Sequence, residues 1–352
     1  MTSKTKVHSA AKKAVVVPLT VGVLSIAVAC QPVLHKAPPS APVVAAKQVP
    51  PAGQLAAGKP VWKEPTVCEA ERGVYDPAVD KDYEFRRDAD LFVMFHGNRF
   101  VAAPAIVAAF EAANPGVRVS WTSLPPIYTI FKVAPEKIRQ NMPKDIPEGL
   151  ASQPGPDVVM LSRGTLAGLY GTAFNIHDAK LYSKVAGMVL VARQDSPVSG
   201  ITDAIRRPDV RFVLAGGQNV RHHSTYSVPR IALGDAVVDD LLARATTSFS
   251  QVTHHRSIPA RLLAGCGDAG FQYKQSEPYL RARFPGQFKF FDVPTDQRVR
   301  ETLDADEDSY LLVASGTKNR SLAARFSAFM VGAEGQRILS KYHLDINGGQ
   351  QR

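Results

Sequence analysis

The stretch Asp90–Pro126, DLFVMFHGNRFVAAPAIVAAFEAANPGVRVSWTSLPP, decides the fold. It reads as strand, helix, strand. Leu91–Phe95 is a short unbroken apolar run, the pattern of a strand covered on both faces. Asn98 is placed to cap the helix that follows. Ile106, Val107 and Phe110, with Val101 and Ala102 a turn earlier, recur at helical spacing. Asn114-Pro115-Gly116 ends that helix, because Pro cannot continue it and Gly permits the turn. Val117, Val119 and Trp121 then alternate with Arg118 and Ser120, as in a second strand. Such a βαβ unit leaves a crevice beyond the carboxyl ends of its strands, where helix N-termini present free N–H groups. The loops His96–Phe100 and Thr122–Pro126 are expected at that crevice.

Around this unit stand 352 residues, enough for a sizeable core and two domains. Hydrophobic residues make up 45% and charged residues 21%, as in an ordinary globular chain. Net charge is +10, and +6 once the lysines of the first 29 residues are set aside. That excess suits attraction of anions or of an anionic membrane surface, or is simply a solvated basic face. No compact array of basic and aromatic residues predicts a nucleic-acid partner.

Lys4, Lys6, Lys12 and Lys13 precede an apolar run, Ala14–Ala29, that closes on Ala27-Val28-Ala29-Cys30. A basic head, an apolar centre and small residues before a cut describe a secretory signal. The run is 16 residues long with Pro18 inside, whereas a membrane span needs ~20. A cysteine directly after the small residues resembles a bacterial lipobox. That resemblance implies removal of residues 1–29, lipidation of Cys30, and outer-membrane sorting in a diderm host because Gln31 follows. Export then places Cys68 and Cys266 in an oxidising compartment, where a pair is expected; two separate buried thiols are the alternative. Cysteine spacing offers no metal motif.

Residues 30–65 are rich in Pro, Ala, Val and Gln and read as a flexible tether. Residues 66–89 read as an irregular extension. Pro125–Gly155 holds six prolines and is long enough for a functional flap, with a helix near Pro135–Asn141. Asp157–Leu161 is a third buried strand, and Ser162-Arg163-Gly164-Thr165 follows it into a short helix. Lys184–Arg193, Arg211–Ala215, Ala269–Lys274, Phe288–Val293 and Tyr310–Ala314 read as strands. Helices are expected at Ile201–Arg206, from Val228 to Leu233, at Asp235–Ala245, Ser257–Ala264, Ser321–Met330 and Glu334–Tyr342. The alternation argues an α/β architecture.

Taken in order, these stretches resemble the type II periplasmic solute-binding proteins of ABC importers, most closely the molybdate and tungstate (oxyanion) branch. The matching pieces are DLFVMFHGNRF, IVAAFEAANPGVRVSW, GPDVVMLS, SKVAGMVLVAR, ITDAIRRPDVRFVLAG, ARLLAGCGDAGFQYKQS and YLLVASGTKNRSLAARFSAFMVGAEGQRILSKYHL. The resemblance implies a two-lobed type II periplasmic-binding-protein fold with two crossover strands. Lobe one is expected at 90–180 plus 277–352, and lobe two at 181–276, with the ligand between them. It further implies partners: a small anionic solute, an ABC permease, and the membrane through the lipid anchor, with the protein in the periplasm.

Carried over position by position, the family's first-loop serine falls on Asn98, whose amide can donate. Its serine pair after the second strand falls on Pro125-Pro126, which offer no N–H; Thr122 and Ser123 stand just before. Its second-lobe loop falls on Val220-Arg221-His222-His223, and its return-strand tyrosine on Tyr273. Arg99, Arg163 and Arg221 are candidates to hold a larger or organic anion, since an Arg fork binds carboxylate or phosphate bidentately. The ligand set expected is thus Asn98, Arg99, Thr122, Ser123, Ser162, Arg163, Arg221, His222 and Tyr273. Each has a plainer alternative: a solvated or salt-bridged arginine, a helix cap at Asn98, a packed aromatic at Tyr273. The pairs His222-His223 and His254-His255 raise a metal, but adjacent residues point apart and no Cys or carboxylate stands at ligand spacing. Neither a Gly-x-Ser-x-Gly elbow nor a His-Glu-x-x-His helix occurs, so no enzyme activity and no cofactor is expected. The leading expectation is a tethered anion-binding lipoprotein; a partner-docking module and a metal-binding lipoprotein are the alternatives.

Overall fold

The computed structural model describes residues 83–137, 146–214, 224–244 and 258–347. Cys30, Cys68, Arg221 and His222 lie outside the described residues, as do the signal segment, the tether and most of the extension. Among the described residues, no helix is long and apolar enough to cross a membrane.

The first sheet has six strands in the order β1-β3-β2-β4-β9-β5. Its centre is the opening βαβ unit: β2 (Leu91–Met94), helix α1 (Ala103–Ala113) and β3 (Val119–Thr122). Strands β2 and β3 run parallel, Leu91 opposite Val119 and Met94 opposite Thr122. Helix α1 begins at Ala103, five residues after Asn98. Asn98 therefore does not cap it; it sits in a separate 3-10 turn, Gly97–Arg99. Within the expected extension Tyr83–Glu84 forms β1, a two-residue antiparallel edge strand beside β3. β4 (Val158–Ser162) pairs parallel with β2. β9 (Ser309–Val313) runs antiparallel to β4, and β5 (Lys180–Ser183) antiparallel to β9. The residues before β9 therefore lie at the carboxyl ends of β2, β3, β4 and β5.

Alternation divides the sheet's two faces. Phe95, Phe110, Trp121 and Phe326 pack on one side, with Phe110 and Phe326 edge to face at 4.9 Å between ring centres. Phe92, Met94, Val159, Leu161 and Leu312 pack on the other, against Ile130, Leu150 and Leu169. Each such side chain contributes ~1.5–3 kcal/mol by leaving water. The Pro-rich segment opens with helix α2 (Pro126–Val133), which the sequence reading did not place. Of the helix expected near Pro135–Asn141, residues 135–137 form a 3-10 turn and the rest lies outside the described residues. Pro126 stands at the first helical position, where its missing N–H is not needed. A longer 3-10 turn, Arg163–Leu169, follows β4.

The second sheet has three strands in the order β7-β6-β8, all antiparallel: β6 (Met188–Arg193), β7 (Ala269–Tyr273) and β8 (Phe288–Asp292). Strand β8 falls within the 277–352 segment expected in lobe one, yet it pairs with β6 along its whole length. Helices α3 (Ile201–Arg206), α4 (Ser224–Leu233), α5 (Asp235–Arg244), α6 (Ile258–Leu263) and α7 (Ser276–Arg283) accompany this sheet. The expected strand at Arg211 is reduced to one bridge, Phe212 to Ala269. Arg211 holds that segment by a bidentate pair with Asp268, both contacts 3.0 Å. Gly270 lets it approach: a Cβ there would lie 2.4 Å from the Val213 carbonyl.

The chain passes between the sheets twice, through residues 184–187 and again from Val293 to Asp308, which includes helix α8 (Gln297–Glu307). Arg300 of α8 ties the two passages together, donating to the Val185 carbonyl at 2.8 Å and the Ala186 carbonyl at 3.3 Å. Helices α9 (Arg320–Val331) and α10 (Ala333–Ser340) close the chain against the first sheet and α1.

Candidate functional site

At the carboxyl end of β2 the chain turns sharply through Gly97–Arg99. His96 Nδ1 accepts from the Asn98 backbone N–H at 3.3 Å, and Ser123 Oγ donates to the His96 carbonyl at 3.2 Å. The two expected loops thus meet. Gln275, just after β7, donates through Nε2 to the Asn98 carbonyl at 3.3 Å, so the second sheet reaches the same turn.

The junction is organised by a residue that the sequence reading did not single out. Asn98 Nδ2 donates to Glu307 Oε2 at 2.9 Å, and the Tyr273 hydroxyl donates to Glu307 Oε1 at 2.8 Å. Arg99 Nη2 donates to the Glu307 carbonyl at 3.0 Å, and Arg99 Nε to Ser183 Oγ at 3.0 Å. Arg99 is 0% exposed, so it is an internal tie between loops and not a solvated arginine. Asn98, Tyr273 and Glu307 are also buried. Glu307 is legible afterwards in α8, where Val299, Leu303 and Glu307 form the buried stripe at fourfold spacing. Two apolar members and a carboxylate on one buried face mark that carboxylate as held.

Several buried polar atoms here have no hydrogen-bond partner among the described residues: Arg99 Nη1, Thr122 Oγ1, Gln275 Oε1 and Asp308 Oδ1. Native interiors leave few such atoms, so a cluster of them at one junction marks a place with polar capacity to spare. Burial raises Tyr182 to about 12, outweighing the nearby Arg99 and Ser309, which favour its ionised form. Burial also raises Asp308; Lys184, 3.6 Å away, works against that shift, and neighbouring Asp304 adds to it.

The remaining expected residues are placed less centrally. Ser162 Oγ lies 3.1 Å from Thr165 Oγ1 and closes the local turn. Arg163 is half-exposed, lies over the Tyr310 ring at 5.5 Å and approaches Asp308 at 3.6 Å. Cys266, just beyond α6, is fully buried. Among the described residues, no group of three or more His, Cys, Asp or Glu could hold a metal. A cavity of about 930 Å³, lined by Arg86, Lys132, Asp157 and Lys318, lies at the opposite end of the first sheet, where β2 and β4 begin.

The family model described as bacterial extracellular solute-binding protein matches residues 93–345. The chain belongs to this family. Two solved structures have the same fold as this solute-binding protein. One is the substrate binding domain assigned to a molybdenum ABC transporter from Clostridium difficile, with 16% identity, a TM-score of 0.51, and coverage of 72% of this chain and 97% of that one. The other is the periplasmic molybdate-binding protein of Azotobacter vinelandii, with 14% identity, a TM-score of 0.52, and coverage of 73% and 99%. At such identities the likeness concerns the periplasmic-binding-protein fold. No curated protein matches the sequence.

Proposed function

We propose that this solute-binding protein is a lipoprotein, anchored through Cys30 to the cell envelope, that captures a small anion between its two sheets for an ABC permease. The carrying observation is the convergence of Asn98 Nδ2 and the Tyr273 hydroxyl, one from each sheet, on a single carboxylate. Donors aimed at one point from two sides suit an anion taken out of water. The basic balance of the chain supports attraction of the same ligand class. The signal pattern ending at Cys30 supports export and lipidation, and export supports pairing of buried Cys266 with Cys68. Titration calorimetry of the mature chain against molybdate, tungstate, sulfate, phosphate and small organic acids tests the anion. Failure of every one to bind tighter than millimolar ends that reading.

A second reading is favoured by one fact: Glu307 already fills the donors that a solute would need. On that reading the crevice is closed for good, and the protein works as a partner-docking module in the envelope. A pull-down from solubilised membranes that recovers an envelope complex and no permease would favour it.

A further inference from the structure

We propose that Glu307 is an internal latch: its carboxylate occupies, between the two sheets, the place of a solute's carboxylate, and thereby determines which solutes the crevice accepts. This inference rests on the reading of the crevice as the solute site.

Asn98 follows β2 of the first sheet, and Tyr273 ends β7 of the second. Each donates to a different oxygen of the same carboxylate, at 2.9 and 2.8 Å. Glu307 is the last residue of α8, on the second passage between the sheets. One planar anionic group therefore joins three parts of the chain that relative motion of the sheets would separate. Its position is fixed from behind, where Arg99 Nη2 and Ser309 Oγ donate to the Glu307 carbonyl at 3.0 and 3.1 Å. The group is 6% exposed, so the charge-assisted bonds from Asn98 and Tyr273 are not diluted by water.

The donor pair is matched to a two-oxygen planar anion, and a carboxylate-bearing solute replaces Glu307 like for like. A further donor is present, since Arg99 Nη1 is buried beside this set without a partner among the described residues; Gln275 Oε1, likewise without one, is an acceptor and suits only a donor elsewhere on the solute. Any solute must compete with an intramolecular carboxylate whose effective concentration is high. Affinity for free anions is accordingly lower than the donor geometry alone would give.

Chemical rescue tests this. Glu307→Ala leaves the donors facing an empty, carboxylate-sized space. Its melting temperature should fall by about 4–8 °C. Formate or acetate at tens of millimolar should restore at least half of that loss, with sodium chloride at equal ionic strength restoring none, and neither acid should shift the wild-type chain. Sulfate and molybdate should restore less than formate; equal restoration overturns the assignment to carboxylates. A Glu307→Ala chain that melts with the wild type, or that loses stability and responds to no anion, overturns the latch. If Glu307→Ala does not fold, Glu307→Gln carries the test: its amide fills the space and accepts from only one donor, so the chain should melt below the wild type with formate restoring nothing, and a Glu307→Gln chain that melts with the wild type overturns the latch. Two outcomes separate this inference from the import reading. Rescue by formate with no solute bound by the wild-type chain upholds the latch and removes import. Equal affinity of wild-type and Glu307→Ala chains for a solute removes the latch and keeps import.

Discussion

Tyr273 and Glu307 meet at the junction of the two sheets, hydroxyl to carboxylate at 2.8 Å, with both side chains buried. Replacing the hydroxyl leaves one carboxylate oxygen without this donor inside the protein. Tyr273→Phe should cost ~1.5–3 kcal/mol of folding stability, the usual range for a hydrogen bond to a charged group. The urea unfolding midpoint measures it, and a midpoint equal to the wild type's would deny the bond any part in holding the junction.

Arg99 reaches in two directions from one guanidinium, to Ser183 Oγ and to the Glu307 carbonyl. A lysine keeps the charge but has no planar fork, so it cannot hold both acceptors in this geometry. Arg99→Lys should therefore destabilise the chain by ~2–4 kcal/mol despite conserving charge. Equilibrium denaturation gives the value; a change below about 0.5 kcal/mol, as at ordinary surface sites, would show that charge alone matters there.

Asp308 adds a pH dependence with a definite sign. Burial raises its pKa above that of the unfolded chain, against the pull of Lys184 and Arg163. The folded chain holds this proton more tightly than the unfolded one. The group's contribution is thus full below the ordinary carboxylate range near pH 4 and declines as pH rises through the raised value. Asp308→Asn cannot ionise. Its stability relative to wild type should improve as pH is taken from about 3 to 7, and parallel melting curves across that range would refute the shift.

Gly270 is a matter of space, not of backbone angle. A methyl group there would lie 2.4 Å from the Val213 carbonyl and 2.6 Å from Ile258 Cγ2. The Val213 carbonyl cannot yield without moving the 211–214 segment off β7, and Ile258 is the buried first residue of α6. Gly270→Ala should cost ~1–3 kcal/mol, the range for overpacking a core. Purified yield and melting temperature report it, with Gly286→Ala, open in space but at φ 72°, as a strain-only comparison.

Much of the fold was legible because its strands are unbroken apolar runs. Leu91–Met94 and Val158–Ser162 are wholly buried and their sequences say so. Helix α1 was visible through Ile106, Val107 and Phe110. Helix α8 was not, since QRVRETLDADE buries only Val299, Leu303 and Glu307, and the last of these is charged. The pattern that marks a helix face fails when one member of the face is an acid. The same omission hid the centre of the site. Asn98 and Tyr273 were expected as ligand donors, and they do converge, but what they hold belongs to the chain. Arg99 is a related case: its sequence left an anion-holding and a solvated arginine both open, and its burial against Ser183 and Glu307 gives it an internal position. Arg221 and His222 lie outside the described residues.

The bonds from Arg300 to the Val185 and Ala186 carbonyls bear on how the molecule can move. Two free crossings between rigid halves permit both bending and twisting. Two crossings tied side by side behave as a leaf spring, compliant in flexure and stiff in torsion. In a two-lobed clamp such a tie favours opening about one axis, like a book. Twisting one sheet against the other would first have to break a grip that lies outside the crevice.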